Sequence, residues 1–175
     1  YAIAKDWKEK GVLTGGVVGT EVSRLGLEES LVEMGIKFFR ARVGDRYVLE
    51  ALHTQGWILG GETSGHVLCL SRHTTGDGIV AALQVFCAIL RDPQALAKAK
   101  KTVDRYFRKS ADIPLLDRSR TKLPKATPLP TGVKRLSIRP SGTEPVLRVL
   151  VEGEDKDACL ALLESLRIPL SRTSL

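Results

Sequence analysis

The chain has 175 residues, 43% of them hydrophobic and 27% charged, with a net charge of +7. That composition excludes a disordered or fibrous chain, and no apolar run approaches the roughly 18 residues of a membrane span. The three cysteines, Cys69, Cys87 and Cys159, are odd in number and widely spaced, which excludes a disulfide framework and leaves no CxxC pair for zinc or redox work.

All three thiols lie in apolar stretches and are read as buried and free, as in a reducing cytosol. Tyr1–Asp6 carries neither an initiating Met nor a signal-peptide core. The chain is therefore read as one entered partway along a longer polypeptide.

Gly15–Gly19 reads as a short buried strand leaving through a tight turn. Helical spacing follows through Val22, Leu25, Leu27, Leu31 and Met34, with Gly35 as its stop. Ile36–Val43 reads as extended, and Asp45 suits the N-cap of a helix through Tyr47, Val48, Ala51 and Leu52 that ends at Gly56. Trp57–Leu59 and Val67–Leu70 are two further extended runs around the polar segment Gly60–His66. Asp77 caps a helix whose buried side is marked by Ile79, Leu83, Phe86, Cys87 and Leu90.

Residues from about 94 to 109 are rich in Ala and Lys and read as a helix joining two domains. Ile113–Gly132 holds four prolines among basic and hydroxylic residues and reads as linker. The C-terminal part reads as strand Lys134–Ile138, a turn at Arg139–Pro145, strand Val146–Glu152, and a helix capped by Asp155 with Leu160, Leu163 and Leu166 inward. Alternating strands and helices predict an α/β fold: a mixed, mostly parallel α/β domain over 1–100, then a smaller α+β domain over 101–175.

The positive charge admits nucleic acid, a solvated basic surface, or a small anionic substrate. Lys98, Lys100, Lys101, Arg105, Arg108 and Lys109 cluster, followed by Arg118, Arg120, Lys122 and Lys125. Aromatic residues make up 5% and are not interleaved with these cations, which weakens a single-strand-binding reading.

Arg139-Pro140-Ser141-Gly142-Thr143-Glu144-Pro145 holds the groups a phosphate dianion needs: a guanidinium fork, two hydroxyls, and an unhindered backbone at Gly142. Arg148, on the following strand, adds a second charge. The same residues also suit a plain hairpin turn. Gly60–His66 gathers Glu62, Ser64 and His66, a set fit for vicinal sugar hydroxyls or for an unliganded polar turn. A serine-hydrolase triad fails on spacing, because three members within five residues cannot reach the required geometry. His73–Gly78 is a helix entry whose backbone amides favour an anion. His53, His66 and His73 have no metal-ligand spacing.

In this order the segments resemble the α-D-phosphohexomutase family. Gly61–His66 resembles its sugar-binding G-E-x-S-G-H loop, Arg139–Pro145 its phosphate-binding R-x-S-G-T-E-P loop, and Thr74–Gly78 the segment between them. The resemblance implies the third and fourth domains of a mutase that passes a phosphate from a phosphoserine to a sugar phosphate and back through a bisphosphate. Val43–Val48 and Val149–Glu154 point to the glucosamine phosphate branch, which feeds UDP-N-acetylglucosamine and the cell wall, over mannose or glucose phosphates.

By position, the resemblance gives Glu62, Ser64, His66, Asp45 and Arg46 to the substrate sugar, and Arg139, Ser141, Gly142, Thr143 and Arg148 to its phosphate. It implies Mg2+ for the whole enzyme, held by a D-G-D-x-D loop. That loop and the serine loop belong to the first two domains and have no counterpart here. The expected partners are a hexosamine phosphate, the preceding domains of the same polypeptide and, for the full-length enzyme, a second copy, without nucleic acid or membrane, in the bacterial cytoplasm. Alone, the chain is expected to be catalytically silent. The stretch from Tyr106 to Val133 is shorter than in the family.

Overall fold

The computed structural model describes residues 1–114 and 128–172, the side chains of 167–172 excepted. Two compact units result, Tyr1–Asp104 and Arg105–Leu175.

In the first unit, α1 (Ala2–Glu9), β1 (Val17–Thr20), α2 (Leu25–Glu33), β2 (Phe38–Ala41), α3 (Asp45–Gln55), β3 (Leu59–Gly61), β4 (Val67–Cys69), α4 (Gly78–Arg91) and α5 (Ala95–Val103) follow one another. The sheet order is β2-β1-β3-β4. β1 pairs parallel with β2 and with β3, whereas β3 and β4 form an antiparallel hairpin. This is the mixed, mostly parallel α/β layer that the strand–helix alternation predicts.

Both faces of the sheet are covered, which is why its strands are apolar on both sides. Val17, Leu59 and Cys69 pack with Ile3, Ala4, Trp7, Leu31 and Ile36 on one face. Val18, Ala41 and Leu68 pack with Val48 and Leu52 of α3 on the other. Gly60 is needed for that contact, because an added Cβ would lie 2.8 Å from Val48 Cγ1 and 3.0 Å from the Val18 carbonyl.

Several expectations shift. β1 and β3 each begin two residues later than expected, at Val17 and Leu59, since the Trp57 ring lies against Gly15 and Gly16 and fills the space side chains there would need. Asp45 is the first helical residue rather than the N-cap. The first helical carbonyl is that of Gly44, which accepts from the amides of Tyr47 at 3.0 Å and Val48 at 3.2 Å.

Asp77 does cap α4, its Oδ1 accepting from the amides of Ile79 at 2.7 Å and Val80 at 2.9 Å. The face of α4 is inverted, however. Val80 and Val85 pack on the core, Ala88 is buried, and Gln84 accepts from Trp7 Nε1 at 3.1 Å. Ile79, Leu83, Phe86 and Leu90 face outward, as does Cys87, so only Cys69 and Cys159 are buried thiols. Nearly every residue of α4 is apolar, so helical period alone could not choose the inner side.

In the second unit, β5 (Phe107–Pro114), β6 (Val133–Pro140), β7 (Val146–Gly153) and α6 (Lys156–Arg172) form an antiparallel sheet of order β5-β7-β6 beneath a helix. Leu147, Val149 and Val151 of the central strand pack with Ile113, Val133, Cys159 and Leu163. Asp155 Oδ1 accepts from the amides of Asp157 at 2.8 Å and Ala158 at 3.0 Å, capping α6 as expected. Leu166 packs on this core together with Leu162.

The helix expected through residue 109 stops at Val103, and Phe107–Lys109 opens a strand instead. Arg108 of this strand is used across the sheet. Glu152 is buried and meets Arg135 Nη1 at 3.1 Å and Arg108 Nη1 at 3.7 Å, one arginine from each neighbouring strand. Of the expected linker Ile113–Gly132, Ile113 and Pro114 instead close β5, and residues 115–127, with Arg118, Arg120, Lys122 and Lys125, lie outside the described residues.

Candidate functional site

In an open α/β sheet, ligands bind beyond the carboxyl ends of the strands, where connections leave in opposite directions. Here β1 is flanked by β2 on one side and β3 on the other. The turns after β1, β2 and β3, near residues 21–24, 42–46 and 62–66, therefore meet at one edge.

The β3–β4 hairpin is closed by the Glu62 amide donating to the His66 carbonyl at 2.9 Å and the Gly65 amide donating to the Glu62 carbonyl at 3.2 Å. That closure gathers three expected residues. Ser64 Oγ lies 3.2 Å from His66 Nδ1 and 3.5 Å from Glu62 Oε2, and His66 Nδ1 lies 3.5 Å from the same carboxylate oxygen. The Glu62 side chain is 7% exposed and that of His66 59%. The other oxygen, Oε1, accepts from the Gly44 amide at 2.8 Å. One oxygen thus fixes the loop while the other faces a hydroxyl and an imidazole.

Asp45 and Arg46 adjoin that anchor. Asp45 Oδ1 accepts from the Arg46 amide at 2.7 Å. Arg46 lies over the Tyr47 ring at 4.5 Å and donates to the Tyr47 hydroxyl at 2.7 Å, and Arg42 lies over the same ring at 4.6 Å. Two guanidiniums are therefore held near the Glu62 loop by one aromatic side chain.

Sequence reasoning missed Arg40. Its Nη1 donates to the carbonyls of Thr20 at 3.0 Å and Ser23 at 2.9 Å, while Nε and Nη2 reach Glu28 Oε2 at 2.9 and 2.5 Å. It shapes the turn after β1. The only signal was its place in the alternating run Arg40-Ala41-Arg42, which marks a strand but not what the guanidinium grips. At His73–Gly78 the second and third amides of α4, those of Ile79 and Val80, are already taken by Asp77, whose carboxyl they hold below its usual range, the Val80 amide most of all. That leaves less for an anion than the sequence suggests.

In the second unit the β6–β7 hairpin carries the other loop. Ser141 is buried, and its Oγ accepts from the amides of Glu144 at 3.2 Å and Thr143 at 3.4 Å. The Ser141 amide donates to the Val146 carbonyl at 2.9 Å. Gly142 and Thr143 are exposed at the tip, and a Cβ added at Gly142 would meet no atom within 4 Å. The backbone there is open.

Arg139 stands directly opposite Arg148 across the two strands, so both side chains share one face. Arg148 is partly compensated by Glu144 Oε2 at 2.5 Å and Asp112 Oδ2 at 3.9 Å. Like charges placed opposite one another oppose folding, and an anion between them reverses the sign.

Among the described residues no group of three or more His, Cys, Asp or Glu side chains is placed to hold a metal ion. The donor set for the implied Mg2+ is not found among them. Among the same residues no single helix is long and apolar enough to cross a membrane.

Two family models match the chain: phosphoglucomutase/phosphomannomutase alpha/beta/alpha domain III over residues 1–106, and phosphoglucomutase/phosphomannomutase C-terminal domain over residues 88–167. The phosphoglucosamine mutase of Aromatoleum aromaticum is 49% identical over 163 residues, 89% of this chain and 36% of that protein. That of Aeromonas hydrophila is 46% identical over 162 residues, 88% of this chain and 36% of that protein. The chain thus spans little more than a third of these relatives. A crystal structure of Aspergillus fumigatus N-acetylphosphoglucosamine mutase, in complex with GlcNAc-6P and magnesium, shares the fold with a TM-score of 0.78 at 16% identity, over 99% of this chain and 42% of that one. By both its sequence and its two folded units, the chain belongs to the phosphoglucomutase/phosphomannomutase family.

Proposed function

We propose that this chain is the substrate-orienting part of a phosphohexomutase that interconverts glucosamine 6-phosphate and glucosamine 1-phosphate. The observation that carries the reading is the pair Arg139 and Arg148, opposed across one hairpin beside the open backbone of Gly142. A phosphate dianion answers both charges and accepts from the hydroxyl of Thr143. Glu62, Ser64 and His66, with Asp45 and Arg46 beside them, supply the carboxylate, hydroxyl and imidazole that sort sugar hydroxyls.

The chemistry is phosphoryl exchange. A phosphoserine loses its phosphoryl group to the free sugar hydroxyl, giving a bisphosphate and free serine. The bisphosphate turns over, and its other phosphoryl group returns to the serine. In the family the serine and the magnesium loop lie in the two preceding domains, and this chain's own residues hold the phosphate that is not being transferred. The glucosamine substrate is favoured by the phosphoglucosamine mutases at 44 to 49% identity, and with it a cytoplasmic place in amino-sugar synthesis.

The test is turnover of glucosamine 6-phosphate by this chain joined to the preceding domains. Arg139→Ala is expected to lower kcat/KM by roughly two orders of magnitude or more, as loss of an electrostatic clamp does. Near-normal activity in that variant would sink the loop assignment. A kcat/KM higher for mannose or glucose phosphates would move the substrate to another branch.

A further inference from the structure

The two guanidiniums beside the Glu62 loop are supported by an aromatic ring rather than by acids. Arg42 and Arg46 are both exposed, and each lies over the ring of Tyr47, at 4.6 and 4.5 Å from its centre. Among the described residues neither forms an ion pair with a carboxylate, although Asp45 adjoins them and Glu62 is bonded to the neighbouring Gly44.

The kind of support decides what each arginine can still do. A carboxylate partner takes up the N–H edge of a guanidinium, whereas a ring takes only its face. Arg46 spends one edge nitrogen on the Tyr47 hydroxyl, at 2.7 Å. Arg42 donates no hydrogen bond to the described residues. Both therefore present donors at a fixed place, where an ordinary solvated arginine would sample many rotamers.

Neither cation is placed for the good of the fold. Arg46 stands in the first turn of α3, where the helix dipole opposes positive charge. Arg42 shares its ring with a second like charge. Tyr47 itself is firmly seated. Its ring packs on the core around Val48 and Leu52, and a Cβ added at Gly44 would lie 3.1 Å from Tyr47 Cδ2. The amide of that same glycine binds Glu62 Oε1 at 2.8 Å. Carboxylate, glycine and ring thus form one chain of contacts, with the guanidiniums at its end.

A sugar hydroxyl both donates and accepts. The ionised Glu62 can only accept, so a hydroxyl oxygen that it orients still needs a donor. A guanidinium edge supplies one.

We infer that Arg42 is a further sugar-contact residue, donating to ring hydroxyl oxygens beside Glu62, and that Tyr47 is the positioning residue that sets Arg42 and Arg46 there. Both roles rest on the reading of this chain as the sugar-phosphate-binding part of a mutase. Tyr47 acts through the two guanidiniums, by its face on both and by its hydroxyl on Arg46.

The test is calorimetric titration of glucosamine 6-phosphate, and separately of inorganic phosphate, into this chain joined to the preceding domains. Arg42→Gln is expected to raise the Kd for glucosamine 6-phosphate about tenfold, as loss of a charge-assisted bond does. It is expected to leave the Kd for inorganic phosphate unchanged. Tyr47→Leu removes the ring and is expected to weaken sugar phosphate binding about as much as Arg42→Gln and Arg46→Gln combined. Added to that double variant, it is expected to change the Kd by less than about twofold. Tyr47→Phe keeps the stacking face and is expected to stay within about threefold of the parent.

An unchanged Kd in Arg42→Gln, or a loss shared equally by inorganic phosphate, overturns the sugar contact. Losses for Tyr47→Leu that simply add to those of the double variant overturn the positioning role, since that is how a merely structural tyrosine behaves. Arg42 is exposed, so Arg42→Gln reports on folded protein even where Tyr47→Leu does not fold. Turnover of glucosamine 6-phosphate separates the claims. A parent active on it, with Arg42→Gln binding it equally well, defeats the sugar contact alone. A parent that neither binds nor turns over any hexose phosphate defeats the functional reading, and the roles of Arg42 and Tyr47 with it.

Discussion

The amide of Gly44 donates to Oε1 of Glu62 over 2.8 Å, joining the turn after β2 to the hairpin after β3. This bond sets the orientation of the buried carboxylate toward Ser64 and His66. Glu62→Gln keeps an acceptor for Gly44 and is expected to preserve the fold while weakening sugar binding about tenfold or more, as a charge-assisted bond becomes neutral. Glu62→Ala removes the anchor too, so the Gly44 amide is expected to exchange with deuterium faster only in that variant. Equal exchange in both variants would deny the anchor.

Thr20 is fully buried at the end of β1, and its hydroxyl has no hydrogen-bond partner among the described residues. Thr20→Val replaces that hydroxyl with a methyl of similar shape. Chemical denaturation is expected to show a change between zero and about 1 kcal/mol of added stability. A loss of more than about 1 kcal/mol would reveal a partner for the hydroxyl.

Glu152 between Arg108 and Arg135 is an ion triad inside a sheet. Glu152→Leu leaves two guanidiniums facing an apolar side chain and is expected to cost roughly 3 to 5 kcal/mol of the second unit's stability. Replacing all three with Leu or Met is expected to recover most of that loss, since a packed apolar set can match a buried ion cluster. A triple variant as unstable as the single one would mean the triad contributes net stability.

Acid should loosen the first unit through two carboxylates. Asp77 is held low chiefly by the Val80 amide, and Asp92 chiefly by its hydrogen bond from Lys98. A carboxyl lowered in the folded state stabilises it above the unfolded value, near pH 4, and that contribution is lost as pH falls through the folded value. Asp77→Asn retains an N-cap acceptor without titrating. Its melting temperature is expected to fall less steeply than that of the parent below about pH 4, and parallel curves would deny Asp77 this role.

The loops were legible because their chemistry is local. Gly61–His66 and Arg139–Pro145 spell out turns, hydroxyls and charges in consecutive residues, and each forms the hairpin that its turn residues predict. Caps at Asp77 and Asp155 were legible for the same reason, one side chain meeting amides two and three residues on. What stayed hidden is relational. The Gly44–Glu62 bond and the grip of Arg40 on the turn after β1 join separate loops, and no spacing rule announces them. β5 was hidden because Arg108 and Lys109 continued the basic run read as helix, and the partner of Arg108, Glu152, lies on a distant strand. α1 went unread because its buried face is only Ile3, Ala4 and Trp7, with Asp6 among them, too short a stripe to stand out.

On the proposed reading the Arg139–Pro145 loop takes a phosphate and the Gly61–His66 loop takes sugar hydroxyls. That reading is tested most directly by an amide NMR titration of the 175-residue chain with glucosamine 6-phosphate, with inorganic phosphate and duplex DNA alongside. Saturable shifts are expected at Gly142, Thr143 and Glu144 with both phosphates, joined by shifts at Ser64–His66 with the sugar phosphate alone. Shifts confined to Lys98–Lys109 with DNA, and none in either loop with the sugar phosphate, would contradict it.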